Sequence, residues 1–149
     1  MANIVTATLV GLEPEGWREA IRAVCAPLLE AEAIRSAYID RCIEMVDEHG
    51  PYMVVAPGIA LAHARPEDGV LKLCLSVATL SDPVLFHHPQ NDPVDLMFAF
   101  GSPDDQQHIH LLTALAEGLS GGLADDLRRS STQKAAEQVM EEVLKDVIS

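Results

Sequence analysis

Apolar positions recur along this chain with two different periods, and the change of period divides it into blocks. Residues 1–14 read as a lead-in with a short extended piece at Val5–Val10, broken by Glu13-Pro14-Glu15-Gly16. Trp17, Ala20, Ile21, Val24, Leu28 and Leu29 then recur at three- and four-residue spacing. That predicts a helix over 17–31, kinked or shortened by Pro27. A second helix fits 36–48, with Ile39, Ile43 and Val46 on one face and Gly50-Pro51 ending it.

The period then shortens. Met53–Val55 and Ile59–His63 read as short strands. Val70–Thr79 alternates more clearly, with Leu71, Leu73, Leu75 and Val77 on one face and Lys72, Cys74 and Ser76 on the other. Ser81-Asp82-Pro83 reads as a turn, Val84–Phe86 as a short edge strand and His87–Asp92 as a polar loop. Pro93–Phe100 is apolar almost throughout, as expected of a central strand buried on both faces. After the loop Gly101–Asp105, a helix over 108–119 is expected to bury Ile109, Leu112, Leu115 and Ala116. Helices at 123–129 and 132–147 follow, the last with Thr132 as its N-cap. Two helices, a block of strands and more helices predict a single α/β domain over residues 1–149, with a small mixed sheet of about five strands sandwiched by helices. The short connections within the strand block make part of that sheet antiparallel.

Composition narrows the function classes. Hydrophobic residues make up 48% of the 149 and aromatic ones only 4%, so the core must be aliphatic. No apolar run reaches the roughly 20 residues that span a bilayer, and no basic segment precedes an apolar one at the N-terminus. A cytoplasmic protein with no direct membrane insertion is expected. The formal charge of −13 argues against nucleic-acid backbones and anionic membranes as partners and leaves basic protein partners open. Cys25, Cys42 and Cys74 each sit among aliphatic neighbours and read as apolar filler rather than disulfides or zinc ligands.

Six histidines are the candidates for chemistry. His49 follows the second helix, His87 and His88 lie in the polar loop, His108 and His110 flank Ile109, and His63 stands alone at a strand end. A metal site would need three or four of them converging from separate elements, and His108 and His110 point apart on a helix, so no metal is expected. There is no nucleophile elbow, phosphate loop or dinucleotide fingerprint.

Val54-Val55-Ala56-Pro57-Gly58-Ile59-Ala60-Leu61-Ala62-His63-Ala64-Arg65-Pro66-Glu67 resembles the phosphorylation-site segment of the mannitol/fructose-class enzyme IIA of the bacterial sugar phosphotransferase system. His49-Gly50-Pro51-Tyr52, Ala56-Pro57-Gly58, Arg65-Pro66-Glu67 and Asn91-Asp92-Pro93-Val94-Asp95 are most similar to ascorbate-type members. The resemblance runs from Trp17 to the last helix. It implies a phosphocarrier, a phosphotransferase component that takes a phosphoryl group from the phosphohistidine of the carrier HPr and passes it to a cysteine of a IIB component during sugar uptake. Ascorbate is then the best guess for the sugar. His63 is the implied phosphorylated residue and His108 its implied assistant. His49, Ala64 and Arg65 are further candidates for contact with phosphate or partner. No cofactor is implied, and a homo-oligomer is left open. Ala62 stands where the family usually has proline. Asp47 stands where mannitol-type members carry an arginine, with His49 nearby as a substitute. Two rival readings remain: a IIA-like regulator that controls another protein by its phosphorylation state, and a binding module that has lost phosphorylation.

Overall fold

The computed structural model describes residues 4–148. The elements run β1 (Val5–Leu12), α1 (Trp17–Glu30), α2 (Ser36–His49), β2 (Val54–Ala56), β3 (Ile59–Ala62), β4 (Cys74–Val84), β5 (Val94–Gly101), α3 (Asp105–Ser120), α4 (Leu123–Arg129) and α5 (Gln133–Ile148), with one 3-10 turn at Pro66–Asp68. Five strands form one sheet in the order β1-β4-β5-β3-β2. β1 and β4 are parallel, as are β3 and β5, whereas β4/β5 and β2/β3 are antiparallel. The sheet is mixed and helices cover both faces. Ile21, Val24, Leu28, Tyr38, Cys42 and Val46 of α1 and α2 pack against Met97 and Ala99 on one face. Leu111, Leu115, Leu123, Leu127 and Met140 of α3–α5 pack against Leu96, Phe98 and Phe100 on the other. The apolar run Leu96–Phe100 of β5 follows from its central place with helices on both sides.

Several boundaries differ from the sequence expectations. The lead-in holds a full eight-residue strand, because β1 pairs along β4 from Val5 to Leu12. The strand expected over 70–79 begins only at Cys74 and continues through Ser81-Asp82-Pro83 to Val84. A proline is tolerated there because Pro83 is exposed and the ladder to β5 shifts register between Thr79 and Val84. Val84–Phe86 is therefore no separate edge strand. Pro27 does not end α1, which continues to Glu30. α3 starts at Asp105, three residues earlier than expected. Its buried residues are Leu111 and Leu115, and Ile109 is 61% exposed. Ile109 and Leu111 are two residues apart, about 200° around the helix, so Ile109 points away from the side that buries Leu111.

The turn between β2 and β3 is fixed from three directions. Gly58 has φ +75°, and a Cβ there would lie 2.7 Å from Arg128 Nη2 and 2.9 Å from Asp95 Oδ1. Both space and backbone demand glycine. Its N–H donates to the Asn91 carbonyl (2.9 Å), and its carbonyl accepts from Asp95 and Leu96 N–H (3.0 and 3.1 Å). Arg128 of α4 donates to the Asp95 carboxylate (2.9 Å) and the Pro57 carbonyl (3.3 Å). Asp92 closes the preceding loop by accepting from the N–H groups of Phe86, His87 and His88. Ala56-Pro57-Gly58 and Asn91–Asp95 are thus one structural unit that sets the starting register of β3 on β5.

Candidate active site

β3 and β5 lie side by side in parallel, with Ala62 opposite Ala99 at the end of the paired stretch. The next residues on each chain are His63 and Phe100. Strand alternation sends both toward the α3 layer, since Leu61 and Phe100 join the core on that face while Ala62 and Ala99 join the opposite one. The His63 imidazole stacks on the Phe100 ring, with centroids 5.5 Å apart and planes at 21°. The chain leaves β5 through buried Ser102, whose hydroxyl hydrogen-bonds the Asp104 carbonyl. Asp104 then caps α3, its carboxylate accepting from Gln107 N–H at 2.8 Å. This tight exit sets His108 in the second half-turn of α3, where its ring meets the same Phe100 ring at 5.1 Å and 50°.

His63 Nδ1 lies 2.9 Å from the Leu61 carbonyl oxygen. A carbonyl only accepts, so Nδ1 carries the proton and Nε2 keeps its lone pair. Burial lowers the His63 pKa below its ordinary 6.5. The Leu61 bond pulls the other way, and His108 lowers it further because a second positive charge beside it is unfavourable. The ring is therefore held neutral in one tautomer at neutral pH. Tyr52 stands edge-on to it, centroids 5.6 Å apart, and donates its hydroxyl to the His63 carbonyl at 3.2 Å. The arrangement suits a nucleophilic nitrogen with fixed aim.

This depressed pKa has a consequence for stability. The unfolded chain binds a proton at His63 more readily than the folded one does, so the contribution is fully present above pH 6.5 and is lost as pH falls through the folded-state value. Thermal unfolding followed between pH 7.5 and 5 should show a fall in melting temperature on acidification. That fall should be smaller in His63→Ala than in the parent.

The other predicted residues have different surroundings. Ala64 is buried, and its N–H donates to the Tyr38 hydroxyl at 3.0 Å, so this amide is not free to meet a phosphate. Arg65 is exposed. Its N–H donates to the Asp68 carboxylate, which starts the 3-10 turn, and its guanidinium has no ion pair among the described residues. His49 ends α2 with Nε2 3.7 Å from Glu48. No hydrogen bond, ion pair or ring contact joins it to His63 among the described residues. Asp47 pairs with Arg18 instead of facing the site. His88 Nδ1 accepts the N–H groups of Gln90 and Asn91 and staples its loop. The three cysteines are buried and unpaired as expected. No cluster of potential metal ligands occurs among the described residues.

Sequence reasoning missed three residues here: Phe100, the common platform, Tyr38, which reaches in from the opposite face, and Tyr52. Phe100 carried only the signal of an apolar strand. Tyr38 carried the signal of an ordinary buried helix position. Tyr52 stood within a quoted motif without a role.

A family model described as "Phosphoenolpyruvate-dependent sugar phosphotransferase system, EIIA 2" matches residues 3–145. The ascorbate-specific PTS system EIIA component of Escherichia coli (strain K12) is 38% identical over 96 residues, 64% of this chain and 62% of that protein. The matched part of this chain thus spans less than two thirds of that relative's length. Among solved structures, the mannitol-specific cryptic phosphotransferase enzyme IIA CmtB from Escherichia coli superposes with a TM-score of 0.81 at 31% identity, covering 93% of this chain and 92% of that one. A complex of enzyme IIAMTL with phosphorylated enzyme IIBMTL from Escherichia coli shares the fold, with a TM-score of 0.75 at 19% identity over 93% and 94% of the two chains. Among the described residues no helix is long and apolar enough to cross a membrane. By the extent of the family match and the likeness to CmtB over nearly its whole length, this chain belongs to the EIIA 2 family of the phosphoenolpyruvate-dependent sugar phosphotransferase system.

Proposed function

We propose that the chain is a cytoplasmic phosphocarrier that accepts a phosphoryl group on His63 Nε2 from the phosphohistidine of HPr and hands it to a cysteine of a IIB component. The observation that carries this reading is the Nδ1–H bond to the Leu61 carbonyl, which leaves Nε2 as the free nucleophile of a half-buried neutral imidazole. In the first step an N–P bond forms at Nε2 as the N–P bond of the donor breaks. In the second an S–P bond forms on a cysteine thiolate as the Nε2–P bond breaks. Such transfer depends on positioning and electrostatics more than on covalent help from the protein. His108, on the same phenyl platform, is the neighbour that offers a ring N–H to the phosphoryl oxygens. The ascorbate-specific relatives make ascorbate the sugar to test first.

The test is incubation of the chain with phosphoenolpyruvate, enzyme I and HPr, followed by addition of the matching IIB component. Acid-labile, base-stable phosphate should appear on the chain and then move to IIB. Wild-type protein that takes no label sinks the reading. Label that forms but never moves to IIB supports the regulatory alternative instead.

A further inference from the structure

The parallel ladder between β3 and β5 has a fixed rhythm. The Leu96 N–H donates to the Gly58 carbonyl at 3.1 Å, and the register holds from Ile59–Leu96 to Ala62–Ala99. In that register the next bond would run from the Ala64 N–H to the Phe100 carbonyl. The structure has the Tyr38 hydroxyl in that place. The Ala64 N–H donates to it at 3.0 Å, and it donates to the Phe100 carbonyl at 2.7 Å. A side chain of α2, 1% exposed, thus relays one bond between two strand ends at the point where they part. His63 precedes Ala64 directly, and Phe100 carries the ring on which both imidazoles pack. Direct pairing would draw Ala64 and Phe100 together by roughly the width of one oxygen atom, since a hydrogen bond spans about 3 Å and the relay needs two.

We infer that Tyr38 is a positioning residue for phosphoryl transfer: its hydroxyl wedges β3 and β5 apart beside His63 and thereby sets the aim of the acceptor imidazole over Phe100. Tyr38 touches no reacting atom. It acts through the Ala64 amide and the Phe100 carbonyl, both otherwise buried groups that need a partner. Loss of the hydroxyl leaves two outcomes, unpaired groups or strands that close on each other, and either one moves the His63 ring. The inference rests on the phosphocarrier reading for its rate readout but not for its structural one.

The experiment compares Tyr38→Phe with the parent protein. The variant should stay folded and take its phosphoryl group from phospho-HPr about 10- to 100-fold more slowly, the penalty of a misplacement near 1 Å. The nitrogen NMR signals of His63 should shift away from a fixed Nδ1–H tautomer, and its titration midpoint should move, which a purely structural role would not produce. A folded variant with unchanged His63 signals and unchanged transfer rate overturns the proposal. If the parent itself takes no phosphate, the phosphocarrier reading fails while the His63 signals still decide the wedge. If the variant does not fold, hydrogen exchange on the parent decides. The Ala64 amide must then exchange as slowly as those of Ala62 and Phe100 in the ladder, and exchange at the rate of an open loop overturns the wedge.

Discussion

Replacement of His63 by alanine should leave a folded protein that takes up no phosphoryl group. The ring is only half-buried and gives up three interactions, the Nδ1–H bond to Leu61, the stack on Phe100 and the edge contact with Tyr52. A net hydrogen bond contributes about 1 kcal/mol and an aromatic pair about 0.5–1.5 kcal/mol beyond its buried area, so the loss is small against a domain stability of about 5–15 kcal/mol. The chemical loss should be complete, because among the described residues no other histidine combines a carbonyl-fixed tautomer with this position at the strand end. His88 uses Nδ1 as an acceptor for two backbone N–H groups, and His49 stands beside Glu48. Mass spectrometry after incubation with phosphoenolpyruvate, enzyme I and HPr should show the added phosphoryl mass on the parent and none on His63→Ala. Circular dichroism should show both folded. Undiminished labelling of the variant, or label mapped to His108 in the parent, contradicts the assignment of His63.

Periodicity made the elements legible and left the topology only partly so. Apolar residues at helical spacing gave α1 and α2 to within a residue or two at each end, and the nearly unbroken apolar run over 93–100 gave β5 its central place. The edge strand β1 was underestimated because both its faces carry apolar residues, Val5 and Leu9 toward one core and Val10 toward the other, so no clear alternation marks it. β4 was cut short because Asp82 and Pro83 carry turn chemistry that a register shift absorbs within the strand. The face of α3 was right at Leu112 and Leu115 and wrong at Ile109 and Ala116, which are exposed. Ile109 is the bulkiest residue of its first turns, but the tight exit through Ser102 and Asp104 turns His108 to Phe100 and leaves Ile109 outside.

The candidate site was legible where a motif carried it and opaque where contact across the sheet carried it. His63 and His108 stood out as residue types suited to phosphoryl chemistry, and the structure packs both on Phe100. Ala64 was singled out by adjacency, yet its amide serves the wedge from Tyr38. No local pattern reports that a tyrosine 26 residues upstream bonds both strand ends. That information lies in the order of the strands and the packing of α2, which exist only once the chain has folded.

Phe100 is where packing and chemistry meet, and two substitutions separate them. Its side chain is 1% exposed within the core formed by α3–α5, so Phe100→Ala should cost about 3–5 kcal/mol, a large part of the stability of a domain this size. The measurement is the shift in denaturant midpoint at unchanged slope. Phe100→Leu keeps most of the apolar volume and should cost under about 1.5 kcal/mol, leaving the fold and the Tyr38 bond to the backbone carbonyl in place. It removes the flat surface on which the His63 and His108 rings lie at 5.5 and 5.1 Å. Each imidazole then gains rotational freedom, and the two no longer share one reference plane. Transfer from phospho-HPr should slow by about 10- to 100-fold in a protein that melts near the parent temperature, because small losses of alignment are expensive when the protein contributes mainly geometry. A Phe100→Leu protein that transfers at the parent rate would show that α3 alone holds His108 in place and that the phenyl ring serves only as core.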